Sequence, residues 1–81
     1  MEKFLANEIV KNLENDQFFH HTIKTTELIN DNDIMIKALI TDTDILSSNE
    51  LDKLTAIGRA FDLSYYLTIS SVDGKVYFCL S

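Results

Sequence analysis

Proline is absent from this 81-residue chain, and glycine occurs only as Gly58 and Gly74. Without either residue to mark a linker, and without a low-complexity run or charge block, the sequence reads as one domain over residues 1–81. A lone cysteine, Cys79, excludes an internal disulfide. No apolar run approaches the roughly 20 residues of a membrane-spanning helix. The opening stretch MEKFLANEIVKNLEND mixes charge into its apolar positions, unlike the apolar core of a secretory signal. The expectation is a soluble protein of the cytoplasm. Basic residues are also few, seven against thirteen acidic, for a net charge of −6. Phosphate backbones and anionic membranes are held through positive charge, so direct nucleic-acid binding and membrane binding are both disfavoured.

Signatures of catalysis are missing as well. There is no glycine-rich phosphate loop, no nucleophile elbow and no HExxH. An enzyme is not expected, and neither is a cofactor. Cys79 lies inside a strand pattern and reads as a small hydrophobe. His20 and His21 are adjacent; on a strand they would point to opposite faces, which makes them poor joint metal ligands. Near a helix C-terminus a histidine gains from the helix dipole when charged, which leaves a pH-sensing role open. Asp42, Asp44 and Asp73 fall at one end of the expected sheet, Asp31 and Asp33 at the other. Oxygen ligands brought together could hold a hard cation, but turn and helix-start chemistry accounts for these aspartates, and no metal site is expected.

What is present is patterning. Leu5, Ile9 and Leu13, widened by Phe4 and Val10, give residues 2–15 the apolar stripe of an amphipathic helix. Residues 17–29 hold β-branched residues with partial alternation, which favours a strand and leaves a helix open. The NDND run at 30–33 is a turn cluster. IMIKALIT, residues 34–41, alternates as a strand, with Ile34, Ile36, Ala38 and Ile40 on one face and Met35, Lys37, Leu39 and Thr41 on the other. Ser47 and Glu50 form a capping box that opens a second helix, whose buried stripe is Leu51, Leu54, Ile57, Gly58 and Phe61. Glycine in a helix interior costs about 1 kcal/mol against alanine, so Gly58 signals the close approach of another element. Residues 64–71 and 75–80 are strands joined by Asp73-Gly74, a dipeptide suited to a type I′ turn.

The order is thus α-β-β-α-β-β in the α+β class. A right-handed crossover through the second helix puts the third strand parallel to the second, and the fourth returns between them. The expected architecture is a two-layer sandwich: a four-stranded antiparallel sheet in order 1-2-4-3 with two helices on one face, a circular permutation of the ferredoxin-like split β-α-β. The helices would cover Ile34, Ile36, Ile40, Tyr65, Leu67, Ile69, Val76, Phe78 and Leu80. The opposite face would show Met35, Lys37, Leu39, Tyr66, Tyr77 and Cys79, with Lys37 its one basic residue. A sheet face turned to water is normally polar; this one is apolar at its centre.

That apolar face suggests a non-catalytic protein-protein interaction or regulatory module. Met35, Lys37, Leu39, Tyr66 and Tyr77 are its candidate partner-binding residues. The expected partner is a second copy of the chain, since a two-fold interface needs one self-complementary patch, or else another protein. Two other readings are an acidic inhibitor occupying a partner's nucleic-acid-binding site and a small-ligand-binding regulatory domain.

Overall fold

A computed structural model of the chain describes residues 1–29, 33–40 and 46–81. Its elements are α1 (Lys3–Glu14), β1 (Ile23–Leu28), β2 (Asp33–Ile40), α2 (Ser48–Ala60), β3 (Tyr65–Ile69) and β4 (Val76–Leu80). The strands form one sheet in the order β1-β2-β4-β3, with every neighbouring pair antiparallel. Alternation sets which side chains share a side. Ile36 pairs with Leu80 and Ala38 with Phe78, and these residues join Ala6, Ile9 and Leu13 of α1 and Leu54 of α2 in one buried cluster. The side of the sheet that carries them is called the core side below. Met1 extends the line of β4, exchanging backbone hydrogen bonds with Ile34 at 2.9 and 3.2 Å while its ammonium pairs with Asp33.

The start of α2 is built around one carboxylate. The Ser47 hydroxyl accepts the Glu50 N–H at 3.2 Å, and Glu50 Oε1 accepts the Ser47 N–H at 3.3 Å, completing the capping box. Glu50 then does more than cap. Its Oε2 accepts the backbone N–H of His20 at 3.0 Å and lies 2.6 Å from Nδ1 of His21, so the helix start is tied to the segment leading into β1. Glu50 is only 4 % exposed. Burial pushes its carboxyl up, but the donors from His21, His20 and Ser47 outweigh burial and hold it down at about 2. Because that carboxylate is ionised, Nδ1 of His21 is the donor, and Nε2, also buried, has no partner among the described residues.

At its other end α2 sits on β3. A Cβ built on Gly58 would lie 2.6 Å from Cδ1 of Tyr65, so glycine is what lets the Tyr65 ring lie against the helix, where it also stacks on Phe78 with centroids 6.3 Å apart. The helix closes with Asp62 at φ 53°, a position where glycine is usual. Leu63 N–H bonds to Gly58 O at 2.7 Å and Asp62 N–H to Arg59 O at 3.4 Å. Since β1 and β3 are the two outer strands, α2 runs from one edge of the sheet to the other.

Several expectations change accordingly. Phe4, Leu51 and Phe61 belong to the sequence stripes but are exposed, and Ala6 takes the buried place beside Ile9. On β3, Leu67 and Ile69 lie on the core side yet are 64 % and 71 % exposed. Ile69 pairs with Val76, and Val76 with Ile40, at the end of the sheet where α2 begins over β1, so the helix never reaches that corner. Of residues 17–29 only Ile23–Leu28 is strand; Asp16 turns the chain before it, accepting the Phe18 N–H at 2.8 Å. The last hairpin is longer than a type I′ turn. Ser70 N–H bonds to Lys75 O at 2.9 Å, and Gly74 has positive φ whereas Asp73 does not; instead the Asp73 carboxylate accepts the Lys75 N–H at 2.9 Å. Asp31, Asp42 and Asp44 lie outside the described residues.

The Glu50 node predicts acid sensitivity. A carboxyl lowered on folding contributes stability that is complete above its unfolded value, 4.5, and is lost as pH falls toward about 2. At about 1.4 kcal/mol per pH unit the contribution is about 3 kcal/mol. Asp16 and Asp73, also lowered, act in the same direction through their exposed hydrogen bonds. Glu50→Gln should lower stability at pH 7 and flatten most of the decline between pH 4.5 and 2, read by denaturant melts across that range. A second expectation concerns Gly58. Alanine there should lose about 1–2 kcal/mol despite its better helix propensity, because Tyr65 must move; a stabilised Gly58→Ala would show that the ring yields freely.

Candidate interaction surface

The side of the sheet away from the core carries the residues singled out by alternation. Met35, Lys37 and Leu39 of β2, Tyr77 and Cys79 of β4 and Tyr66 of β3 are brought together there. Lys24 of β1 lies opposite Lys37, so the face has two basic residues rather than one. That was hidden in the sequence because the phase of β1 could not be read from its partial alternation.

This face is largely closed by its own side chains. Tyr66 pairs with Cys79, yet its hydroxyl reaches Sδ of Met35 at 3.6 Å, on the strand beyond. Its ring therefore crosses β4 and covers Cys79, which is 0 % exposed. Nζ of Lys37 stands 5.4 Å from the centroid of Tyr77, and the Tyr77 hydroxyl donates to Asp73 at 3.0 Å. Tyr77 is left 6 % exposed. Met35, Lys37 and Leu39 are half-buried, and of the five candidate partner-binding residues only Tyr66 is exposed. Burial raises the Cys79 thiol above its ordinary value, against a smaller lowering by Lys37. His21 is engaged with Glu50 rather than offered to a ligand, and Asp73 with Lys75 and Tyr77.

The open apolar surface lies on β3 instead. Ser64 and Ser81 exchange hydrogen bonds at 3.0 Å, and Ser70 N–H bonds to Lys75 O, so the even-numbered residues of this strand face β4. Tyr65, Leu67 and Ile69 therefore turn their N–H and C=O groups to the outer edge, and they are also the residues whose side chains lie on the core side beside the uncovered corner. The strand, YYLTI, has no charge. The opposite outer strand, IKTTEL, carries Lys24 and Glu27. Charge on an outer strand discourages further pairing; β1 has that protection and β3 lacks it. The alternation of the sequence gives the face of Leu67 and Ile69, but only the diagonal course of α2 shows that, among the described residues, no helix covers that corner.

Comparison with known proteins finds no matching family model, no matching curated protein and no matching solved structure. Among the described residues, no helix is long and apolar enough to cross a membrane.

The closed far side makes Cys79 a reporter. In the native protein its reaction with an aromatic disulfide reagent at pH 8 should be at least about a hundredfold slower than in denaturant, because a buried thiol must wait for local opening. Tyr66→Ala should restore much of the rate. Native labelling as fast as that of the unfolded chain would mean that Tyr66 does not cover the sulfur.

Proposed function

We propose that this chain is a non-catalytic, cytoplasmic protein-interaction module that docks its partner through the outer edge of β3. In this reading the whole is a two-layer sandwich of the permuted ferredoxin-like order, both helices covering the core side. The observation that carries it is the coincidence, on one uncharged strand, of unpaired backbone groups and exposed apolar side chains. Burying a leucine or isoleucine side chain is worth about 1.5–3 kcal/mol. A domain of this size has a total stability of only about 4–12 kcal/mol. Leaving both Leu67 and Ile69 mostly in water thus forgoes a large share of the available stability, and association recovers it. The far side, with Met35, Lys37, Leu39, Tyr66 and Tyr77, serves chiefly to hold β4 and β3 in place, with Tyr66 at the margin of the docking edge.

If Leu67 serves a partner rather than the fold, Leu67→Lys should leave the isolated domain intact. In dilute solution the expected change in stability is within about 0.5 kcal/mol, as for an ordinary surface substitution, with an unaltered circular dichroism spectrum. A loss above about 2 kcal/mol would place Leu67 in the monomer's own core and remove the basis for docking at β3.

A further inference from the structure

The far side of the sheet opens into a cleft between β1 and the last hairpin, lined by Lys24, Thr26, Lys37, Ser70, Asp73 and Tyr77. We infer that this cleft binds a small phosphate-bearing anion, with Lys24 and Lys37 holding the phosphate. The site is separate from the outer edge of β3. Lys24 and Lys37 are direct partners across the β1–β2 pairing, and like charges in that relation destabilise a sheet. Among the described residues neither forms an ion pair, although the chain has thirteen acidic residues to seven basic. The neighbours hold one of the two charges in place. Lys37 is half-buried with Nζ 5.4 Å from the centroid of Tyr77, and the Tyr77 hydroxyl is tied to Asp73 at 3.0 Å. A cation seated on an aromatic face keeps its charge, and its N–H donors stay available. Lys24 is exposed, and its flexible stem lets the ammonium swing over the same cleft.

The rest of the lining suits an anion with several acceptors. Thr26 adds a hydroxyl donor on the Lys24 side. Asp73 is the one carboxylate among the described lining residues, and Lys75, Tyr77 and Ser70 already donate to it. Glu27 of β1 pairs with Ile34 and so lies on the core side. Two positive charges against one negative leave the cleft net positive in a chain of net charge −6. Charges farther away than about 8 Å are largely screened at physiological salt. A phosphate monoester carries about −1.5 to −2 at neutral pH and three acceptor oxygens. It therefore offsets both lysines at once, whereas a carboxylate offsets one. The cleft holds about 270 Å³, below the roughly 300–1,000 Å³ of sites for drug-sized ligands. That leaves room for the phosphate and a few carbons.

The test is an amide NMR titration of the full chain with glycerol phosphate, inorganic phosphate and acetate at fixed ionic strength. Phosphate-bearing probes should give saturable shifts at Lys24, Thr26, Lys37 and Ser70, with Kd on the order of 1 mM or below, and acetate should bind at least about tenfold more weakly. Tighter binding of glycerol phosphate than of inorganic phosphate identifies an organic monoester as the ligand; the reverse identifies free phosphate. Lys24→Gln and Lys37→Gln should each raise Kd at least about fivefold. Lys11→Gln, which removes the same charge from α1, should leave it unchanged. Melting separates binding from a structural role. In phosphate-free buffer Lys24→Gln should melt no lower than wild type, because a repulsion is removed. Glycerol phosphate should raise the melting temperature of wild type more than that of the variant. Shifts that never saturate, acetate binding equal to phosphate, or a Kd indifferent to both lysine substitutions overturns the inference. So does a Lys24→Gln variant that melts several degrees below wild type, since Lys24 then serves the fold.

Discussion

The carboxylate of Glu50 is the constraint on which the layout of this protein depends. A capping glutamate ordinarily serves its own helix and faces water. Here it is buried, and its second oxygen is used by His20 and His21, thirty and twenty-nine residues earlier in the chain. A buried charge is costly unless paired and hydrogen-bonded, and that cost makes the junction selective. The helix start cannot slide along the sheet without stripping the carboxylate of donors. The segment before β1 cannot leave without doing the same. One residue therefore sets where α2 begins relative to β1, and with it the whole course of the helix.

Gly58 sets where that course ends. The missing side chain admits the ring of Tyr65, and the helix comes to rest on β3 at the end opposite its start. Two anchors at opposite edges make the helix diagonal, and among the described residues neither helix covers the corner of the sheet at Ile69. The exposure of Leu67 and Ile69 thus has a mechanical origin in residues far from them in sequence. The same geometry leaves Tyr65 partly covered, stacked on Phe78, so the bare stretch has one rigid end and one open end. A rigid edge is a better template for an added strand than a fraying one, because less conformational entropy is lost on pairing.

How much of this was legible beforehand depends on the range of each interaction. The capping box is local, and Ser47 and Glu50 announced it. Alternation is local too, and IMIKALI and VYFCL placed Ile36, Ala38, Phe78 and Leu80 on one side of the sheet and Met35, Lys37, Tyr77 and Cys79 on the other. The strand order followed from helix length and crossover handedness. Gly58 announced a close approach without naming Tyr65. The failures share one cause. Alternation assigns a side, but not what lies over it. The far side looked open because nothing local says that Tyr66 crosses a strand to meet Met35 or that Lys37 settles on Tyr77. The corner at Ile69 looked covered because nothing local says that Glu50 pulls α2 toward β1. Lys24 was missed on the far side because a strand with threonine at successive positions has no readable phase.

The distribution of charge bears on the same edge from another direction. Thirteen acidic residues are spread along this chain, and none falls within YYLTI. β1 is a residue longer than β3, lies at the other edge of the same sheet and carries a charge of each sign. If β3 were merely a surface strand, a charged side chain at position 67 or 69 would improve solubility at almost no cost to the fold, since both positions are largely in water already. An apolar residue at either position gains little from a monomer that does not cover it. It gains its transfer free energy only when another surface closes over the edge. On the docking reading proposed above, the neutrality of β3 and the exposure of Leu67 and Ile69 are one feature, because both suit a strand edge that a partner covers.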